Sequence, residues 1–283
     1  MILQYATPVA LAATGETIGQ KSGVIYIGLE GSMLAGAFFA MLAAQSTGSP
    51  WVGLVAGIAA GVVLALLFGW FTIRRGIDQV VVGTAINLLA LGVTGTIYRT
   101  QFGKSGTLLS VAKLPPVFGK IDAVEILLLL SAIGLTWVLQ KSSLGLALRA
   151  TGEYPKAAEA AGFSVARLRF IGVACSGIFA GLAGAYLSLG ISGSFAENMT
   201  AGRGFVAIAM VTFGRWKPMW VLAAALLIGF AESLQFTLQA AGVQAPYQLL
   251  IALPYLVALT VLVVVGRGTV APAALAEPYV KGD

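Results

Sequence analysis

Three long stretches without a charged residue constrain this chain more than any other feature. They are Gly31–Ile73, Phe170–Ala196 and Ser233–Gly266, and each exceeds the roughly 20 residues that a helix needs to cross hydrocarbon. Their apolar residues are continuous and do not alternate as transmembrane strands do. Only 10% of the chain is charged, against roughly a quarter in soluble domains. The sequence therefore predicts an all-α, polytopic bundle of transmembrane helices.

The chain divides into about eight or nine predicted spans within a single domain, residues 1–283. Seven full spans are expected at about Val24–Ala44, Trp51–Ile73, Gln79–Tyr98, Ala123–Leu139, Phe170–Gly190, Met219–Ala240 and Pro246–Val265. Gly204–Gly214 would cover only about 16 Å at a rise of about 1.5 Å per residue, which predicts a half-helix. Met1–Gln20 contains Pro8 and Glu16 and is a doubtful span, predicted as a short or broken helix.

Small residues recur at every fourth position in two of these spans. One series runs from Gly53 to Gly69 and the other from Gly172 to Gly184. Lipid does not drive helices together, so close backbone approach at small residues must do so. The two series predict close packing inside the bundle.

The basic residues indicate how the bundle is oriented. Most of the 17 lysine and arginine residues fall on the side of the pair Arg74–Arg75, which predicts that this side is cytoplasmic. The loop Arg99–Asp122 is then outside, and the C-terminus and the polar segment 144–169 are inside. Pro155 and Gly162 predict the start and end of a short helix in that segment. Because so short a helix is marginal alone, both a docking surface and an ordinary solvated loop remain open.

The residue types present argue against an enzyme. With no histidine and one cysteine, the chain has no imidazole base, Cys/His metal cluster or Ser–His pair, and we predict no catalytic residue and no metal site. Gly103–Lys104–Ser105 lacks the first glycine of a phosphate-binding loop, because Tyr98 occupies that position. The net charge of +6 reports orientation, not binding of nucleic acid. Energy for any transport must come from an ion gradient or another subunit.

Polar residues inside the predicted spans are candidate functional groups, because they are costly in a membrane. Glu30 shares a predicted helix face with Tyr26, and Glu232 shares one with Gln235 and Gln239. For Glu30 and Asn87, a polar path for a solute and hydrogen bonds between helices are both open. For Glu232 we favour the structural role.

Four stretches carry a resemblance to a known family: Ser22–Gly31, Leu148–Gly162, Thr200–Pro218 and, more loosely, Val80–Tyr98. The chain resembles the permease subunits of bacterial ABC importers for nucleosides and simple sugars, a group that includes ribose-type and branched-chain amino-acid permeases. The stretches span most of the chain in the expected order. The third is similar to the nucleoside branch.

The resemblance implies a permease subunit that moves a nucleoside or related simple sugar across the bacterial inner membrane. ATP and Mg²⁺ would bind a separate cytoplasmic ATPase, and this chain would bind no cofactor. The other implied partners are a second, different permease and an extracytoplasmic substrate-binding protein. A cytoplasmic coupling helix would contact the ATPase through Glu153, Pro155, Ala157, Ala158, Glu159 and Gly162.

An aromatic-and-amide pocket would suit a nucleobase. The predicted substrate pathway therefore contains Tyr26, Glu30, Asn87 and Phe205. Tyr26 and Tyr154 depart from relatives, which often have asparagine at these positions. The alternative is a secondary transporter or channel driven by an ion gradient, with Glu30 or Glu232 as its ion site.

Overall fold

The computed structural model describes residues 2–103, 111–119, 121–241, 247–265 and 270–279. Lys104, Ser105 and Pro246, which figure in the expectations above, lie outside these ranges. The helices are α1 (Ile2–Lys21), α2 (Leu29–Thr47), α3 (Pro50–Gly69), α4 (Gln79–Phe102), α5 (Ala123–Lys141), α6 (Ser143–Glu153), α7 (Pro155–Ala160), α8 (Val165–Tyr186), α9 (Arg203–Phe213), α10 (Pro218–Ala240) and α11 (Tyr247–Val265). π-helical turns extend α3 over Trp70–Arg74 and α8 over Leu187–Ser192, and Pro116–Phe118 pairs with Ile121–Asp122 as an antiparallel hairpin.

The helix lengths confirm an all-α membrane bundle. Within the described ranges, eight helices have 19 to 24 residues, enough to cross a bilayer. Five of them, α3, α4, α5, α8 and α10, are also apolar enough by composition. Helix α9 has 11 residues, which confirms the predicted half-helix.

The N-terminal helix α1 corrects the expectation of a short or broken helix. It is continuous over 20 residues with Pro8 inside it, and every residue from Ala6 to Gln20 is buried. It packs against α8, α9 and α10. The hydroxyls of Thr7, Thr14 and Thr17 each donate to the carbonyl four residues earlier. Because protein, not lipid, surrounds α1, it forms without the apolar surface that a lipid-facing helix needs.

The predicted span from Val24 begins five residues later, at Leu29. The backbone N–H groups of Ile25 and Tyr26 donate to the side chains of Gln79 and Glu16, each at 2.9 Å. These side chains satisfy backbone groups that a helix would otherwise pair. Residues 24–28 are therefore not helical, and the prediction that Tyr26 and Glu30 share a helix face is wrong.

The small-residue series confirm close packing inside the bundle. A β-carbon built on Gly181 of α8 would lie 2.3 Å from the Gly57 carbonyl oxygen of α3, and one on Gly61 would lie 2.4 Å from that of Gly177. Real β-carbons do not approach other atoms so closely. The backbones of α3 and α8 therefore touch at glycines.

The C-terminal segment, residues 270–279, folds back onto the end of the bundle that carries α6 and α7. The Ala274 N–H donates to the Gly152 carbonyl at 2.9 Å, and the Ala276 N–H donates to that of Gly23 at 3.1 Å. Arg169 Nη1 donates to the Glu277 carbonyl at 2.8 Å. The polar segment 144–169 and the C-terminal segment thus share one end of the molecule.

Candidate functional site

An open groove of about 400 Å³ lies between α2, α4 and α9, and it brings together Glu30, Asn87 and Phe205. These are three of the four residues predicted for the substrate pathway. Asn87 is the ninth of 24 residues in α4, about 12 Å along that helix, so the groove lies at membrane depth. The remaining lining residues are Gly31, Leu34, Thr84, Leu88, Leu91 and Asn198.

Glu30 caps the N-terminus of the half-helix α9. Its Oε1 accepts from the Gly202 N–H at 2.8 Å, and its Oε2 accepts from the Gly204 N–H at 2.6 Å. The first N–H groups of a helix have no partner within the helix and carry partial positive charge, so a carboxylate fits there. A β-carbon on Gly204 would lie 2.6 Å from the Glu30 backbone nitrogen, so this approach requires glycine. Both carboxylate oxygens are therefore engaged in holding α9.

Asn87 joins α4 to the start of α2. Its Oδ1 accepts from the Gly31 N–H at 2.8 Å, and its Nδ2 donates to the Ile27 carbonyl at 3.0 Å. Both ends of the amide are thus hydrogen-bonded to backbone. Of the two interpretations open from the sequence, this geometry supports bonds between helices for Asn87 and Glu30.

Tyr26 lies apart from the groove. Its side chain is 0% exposed, and its hydroxyl forms a hydrogen bond of 2.5 Å with Ser32 Oγ. Its ring meets Phe68 edge-on, with 4.8 Å between centroids. Phe205, by contrast, is 49% exposed and presents its ring at the groove. The structure thus places Tyr26 in the core and leaves Phe205 as the aromatic group of the groove.

A second polar region occupies the other side of α9. Arg203, Glu232, Gln235 and Gln239 line a cavity of about 270 Å³ between α1, α9, α10 and α11. This confirms the predicted shared face of Glu232, Gln235 and Gln239. The other walls are Val9, Ala201, Val206, Ile228, Phe236, Pro254 and Tyr255.

Arg203 was not among the candidate residues predicted from the sequence. It is the first residue of α9, and its Nε lies 3.5 Å from Glu232 Oε1. The two side chains are 24% and 13% exposed. An arginine at the boundary of a predicted half-helix, with one acidic residue deep in the next span, was the available signal. Among residues that the structure describes, no cluster of three or more His, Cys, Asp or Glu side chains could hold a metal ion.

The polar segment forms two helices where the sequence predicted one. The predicted short helix is α7, with Pro155 at its start and Gly162, at φ +88°, just beyond its end. Helix α6 precedes it, with the Ser142 hydroxyl accepting from the Gly145 N–H, and was not anticipated. Ala157 is exposed, whereas Ala158 is 2% exposed and packs inward. Only one of the two adjacent alanines can therefore meet a partner.

The C-terminal segment lies against α7. The Tyr279 hydroxyl donates to the Glu159 carboxylate, which raises the pKa of Tyr279 because a phenolate would lose this bond. The Ala273 N–H donates to Glu153 Oε2 at 3.2 Å. Grooves of about 660 and 740 Å³ flank α7, and Tyr279 lines both. The predicted coupling residues Glu153 and Glu159 thus contact a segment that sequence reasoning did not connect to them.

The known proteins to which this chain is similar are permease proteins of transport systems. A family model described as the permease component of the branched-chain amino acid transport system matches residues 1–266. NupQ, a guanosine ABC transporter permease protein of Bacillus subtilis, is 37% identical over 99% of this chain and 95% of its own. TsgC13 of Haloferax volcanii, provisionally named a glucose ABC transporter permease protein, is 35% identical over 84% and 76%. NupP, a second Bacillus subtilis guanosine permease protein, is 28% identical over 80% and 70%.

Proposed function

This chain is a multi-pass membrane permease that belongs to the family of the branched-chain amino acid transport system permease component, and on that premise we propose that it conducts a nucleoside as one subunit of an ATP-driven importer. The similarity to NupQ over nearly the full length of both chains supports a nucleoside over a simple sugar. The provisional glucose relative makes a sugar the competing substrate class.

The observation that carries this proposal is the groove beside the half-helix. In membrane transporters, solute sites form where discontinuous helices end inside the membrane. Here α9 begins beside Glu30, which caps it and lines a groove that also contains the exposed ring of Phe205. We assign the translocation pathway to this groove, with Glu30 and Asn87 positioning its walls and Phe205 contacting the solute.

The groove needs a second protein to close it. Leu88, in its lining, is 70% exposed, and the neighbouring α4 residues Val80, Val81 and Leu91 are also exposed. A second permease laid against α4 would cover this face and enclose the pathway. Two guanosine permeases of one bacterium, NupQ and NupP, both match this chain, which supports a second permease of different sequence.

The exposed helix α7 is the proposed docking point for a cytoplasmic ATPase, which would bind ATP and Mg²⁺. Pro155 and Gly162 set the limits of α7, and Ala158 anchors it inward. Glu153 and Glu159 hold the C-terminal segment beside it. Ala157 then lies on the outer surface, where the ATPase would contact it. We place the protein in the bacterial inner membrane with the α7 end facing the cytoplasm. An extracytoplasmic binding protein would then dock at the opposite end.

Transport assays test the function. We expect cells producing the whole transporter to take up labelled nucleosides, and cells lacking this subunit to lose that uptake. Guanosine, inosine, adenosine, uridine and ribose would be compared. If ribose were the only compound taken up, the substrate would be a sugar and not a nucleoside. Uptake by the purified chain alone under a proton gradient would overturn ATP-driven import and favour a secondary transporter.

Co-purification tests the docking point. Ala157→Trp is expected to remove most of the ATPase that co-purifies with the permease, because the indole would occupy the contact surface. Ala241→Trp, an exposed alanine at the end of α10, is the matched control and should leave co-purification unchanged. Ala158 is unsuitable, since its burial would confound docking with misfolding. Full recovery of the ATPase with Ala157→Trp would exclude α7 as the docking point.

A further inference from the structure

The polar side chains on the two sides of α9 differ in how many of their atoms have a hydrogen-bond partner. In the groove, both oxygens of Glu30 and both ends of the Asn87 amide are bonded to backbone. In the cavity, three buried atoms have no hydrogen-bond partner within the described part of the chain: Glu232 Oε2, Arg203 Nε and Gln239 Nε2. Buried polar atoms are nearly always satisfied, so such a group calls for a specific explanation.

The cavity has the size and walls of a site for a small heterocycle. Its volume of about 270 Å³ is close to the lower limit of typical ligand sites, about 300 Å³, and far exceeds the share of one water molecule, about 30 Å³. Phe236 forms one wall and is held by stacking on Tyr5, with ring centroids 4.8 Å apart. Tyr255 forms another wall. Aromatic and aliphatic walls around a few convergent polar groups are typical of ligand pockets.

The free polar atoms match a nucleobase that presents a ring N–H donor beside acceptor atoms, and guanine is such a base. A carboxylate oxygen accepts hydrogen bonds, while guanidinium and amide nitrogens donate them. Guanine offers the complement, with a ring N–H and the N2 amino group as donors and O6 and N7 as acceptors. Adenine turns a ring nitrogen lone pair toward the position of the carboxylate, which would repel it.

We propose that the cavity between α1, α9, α10 and α11 binds the base of a 6-oxopurine nucleoside. Glu232 accepts from the ring N–H, and Arg203 and Gln239 donate to O6 and N7. This inference rests on the proposed function, since it names the substrate class of the same transporter. It assigns recognition to the cavity and leaves the groove as the route of passage.

A purely structural ion pair between Arg203 and Glu232 explains the arrangement of the cavity's polar atoms less well than a bound base does. The Arg203–Glu232 contact of 3.5 Å exceeds the 2.7–2.9 Å typical of charge-assisted hydrogen bonds. A buried pair offsets its loss of hydration only with close geometry and further hydrogen bonds to its remaining atoms. Here one oxygen of Glu232 and Gln239 Nε2 remain without partners in the described structure. A base placed among the three residues would supply those bonds.

Direct binding to the purified, detergent-solubilised permease tests the site without the delivering protein, which would impose its own selectivity. Equilibrium dialysis would use labelled guanosine, with unlabelled inosine, adenosine and ribose as competitors. We expect inosine to compete and adenosine and ribose to fail. Glu232→Gln should weaken guanosine binding at least tenfold and reduce the preference over adenosine. Gln239→Leu should weaken it several-fold.

Two controls separate recognition from folding. Gln140→Leu makes the same change as Gln239→Leu at an exposed position and should bind guanosine like the wild type. Glu232→Asp keeps a carboxylate and should retain the preference for guanosine over adenosine at reduced affinity.

The outcomes are separable from those of the uptake assay. Absence of guanosine binding by the wild type, or unchanged binding by Glu232→Gln and Gln239→Leu, would overturn the cavity assignment even if cells import nucleosides. Equal weakening for every nucleoside together with a lower Tm would assign the pair a structural role and also overturn it. Failure of nucleoside uptake in cells would instead overturn the proposed function.

Discussion

The groove and the cavity lie on opposite sides of one 11-residue helix and use similar residues in different ways. Each contains a glutamate and a side-chain amide. In the groove these groups are hydrogen-bonded to backbone N–H and C=O groups, whereas in the cavity Glu232 Oε2 and Gln239 Nε2 have no partner among the described residues. The comparison shows that the presence of a polar residue in a span does not say whether it holds the protein together or serves a ligand.

The two sides also differ in what holds α9 in place. On the groove side, Glu30 accepts hydrogen bonds from the backbone N–H groups of Gly202 and Gly204 at the start of α9. On the cavity side, Arg203 of α9 and Glu232 of α10 form a long ion pair, with 3.5 Å between Nε and Oε1. We therefore expect substitutions on the groove side to cost more stability than those on the cavity side.

The largest effect is expected for Gly204→Val, because it introduces a side chain where α9 lies against the backbone of Glu30. Its β-carbon would lie 2.6 Å from the backbone of Glu30, so α9 must move and lose its cap. We expect a loss of about 3 kcal/mol or more in the free energy of unfolding. Size-exclusion chromatography in detergent should show little monodisperse protein. Gly92→Val, with open space around its α-carbon, is the control and should elute normally.

The same substitution on the two sides of α9, Glu30→Gln and Glu232→Gln, tests the difference between groove and cavity most directly. In Glu30→Gln, an amide NH₂ group replaces an oxygen that accepts a backbone N–H. The expected loss is about 2 kcal/mol, measured as a lower Tm of the solubilised protein. Glu232→Gln should lower Tm less than Glu30→Gln does, because Glu232 Oε2 has no partner in the described structure and Oε1 lies 3.5 Å from Arg203 Nε, too far for a strong hydrogen bond. A larger Tm loss for Glu232→Gln than for Glu30→Gln would reverse our assignment of the two sides.

Asn87→Leu should have an intermediate effect. It removes two hydrogen bonds and leaves the Gly31 N–H and the Ile27 carbonyl without these partners. We expect a loss of about 1–2 kcal/mol, again measured through Tm. Asn87→Asp retains the acceptor for Gly31 and should lie between Asn87→Leu and the wild type. If both variants matched the wild type, the amide would not join α4 to α2.

The smallest effect is expected for Gln239→Leu in the absence of ligand. It removes a buried donor that has no partner among the described residues, so stability should stay level or rise by up to about 1 kcal/mol. A Tm measurement without nucleoside checks this. A clear fall in Tm would show that the Gln239 amide already serves the fold, which would weaken the contrast between cavity and groove.

Much of the architecture could be predicted because it depends on local sequence. Span positions followed from apolar runs, the half-helix from the length of its run, and the limits of α7 from Pro155 and Gly162. The errors occurred where neighbours in space supply what the local sequence lacks. Helix α1 contains Pro8 and Glu16 yet is continuous, since other helices enclose it. The segment before α2 is not helical, since Glu16 and Gln79 bind its backbone.

By itself, the sequence determined that this protein is a helical membrane bundle with one half-crossing element and a short surface helix. Those features depend on residues within about one helix length of each other. Only the tertiary structure decided what each polar residue does. Gly202, which donates to Glu30, is 172 residues away along the chain, and Arg203 of α9 contacts Glu232 of the next helix, α10. A hydrogen bond depends on which atoms lie close together in the folded chain. The periodicity of nearby residues does not predict which distant backbone group a polar side chain will contact.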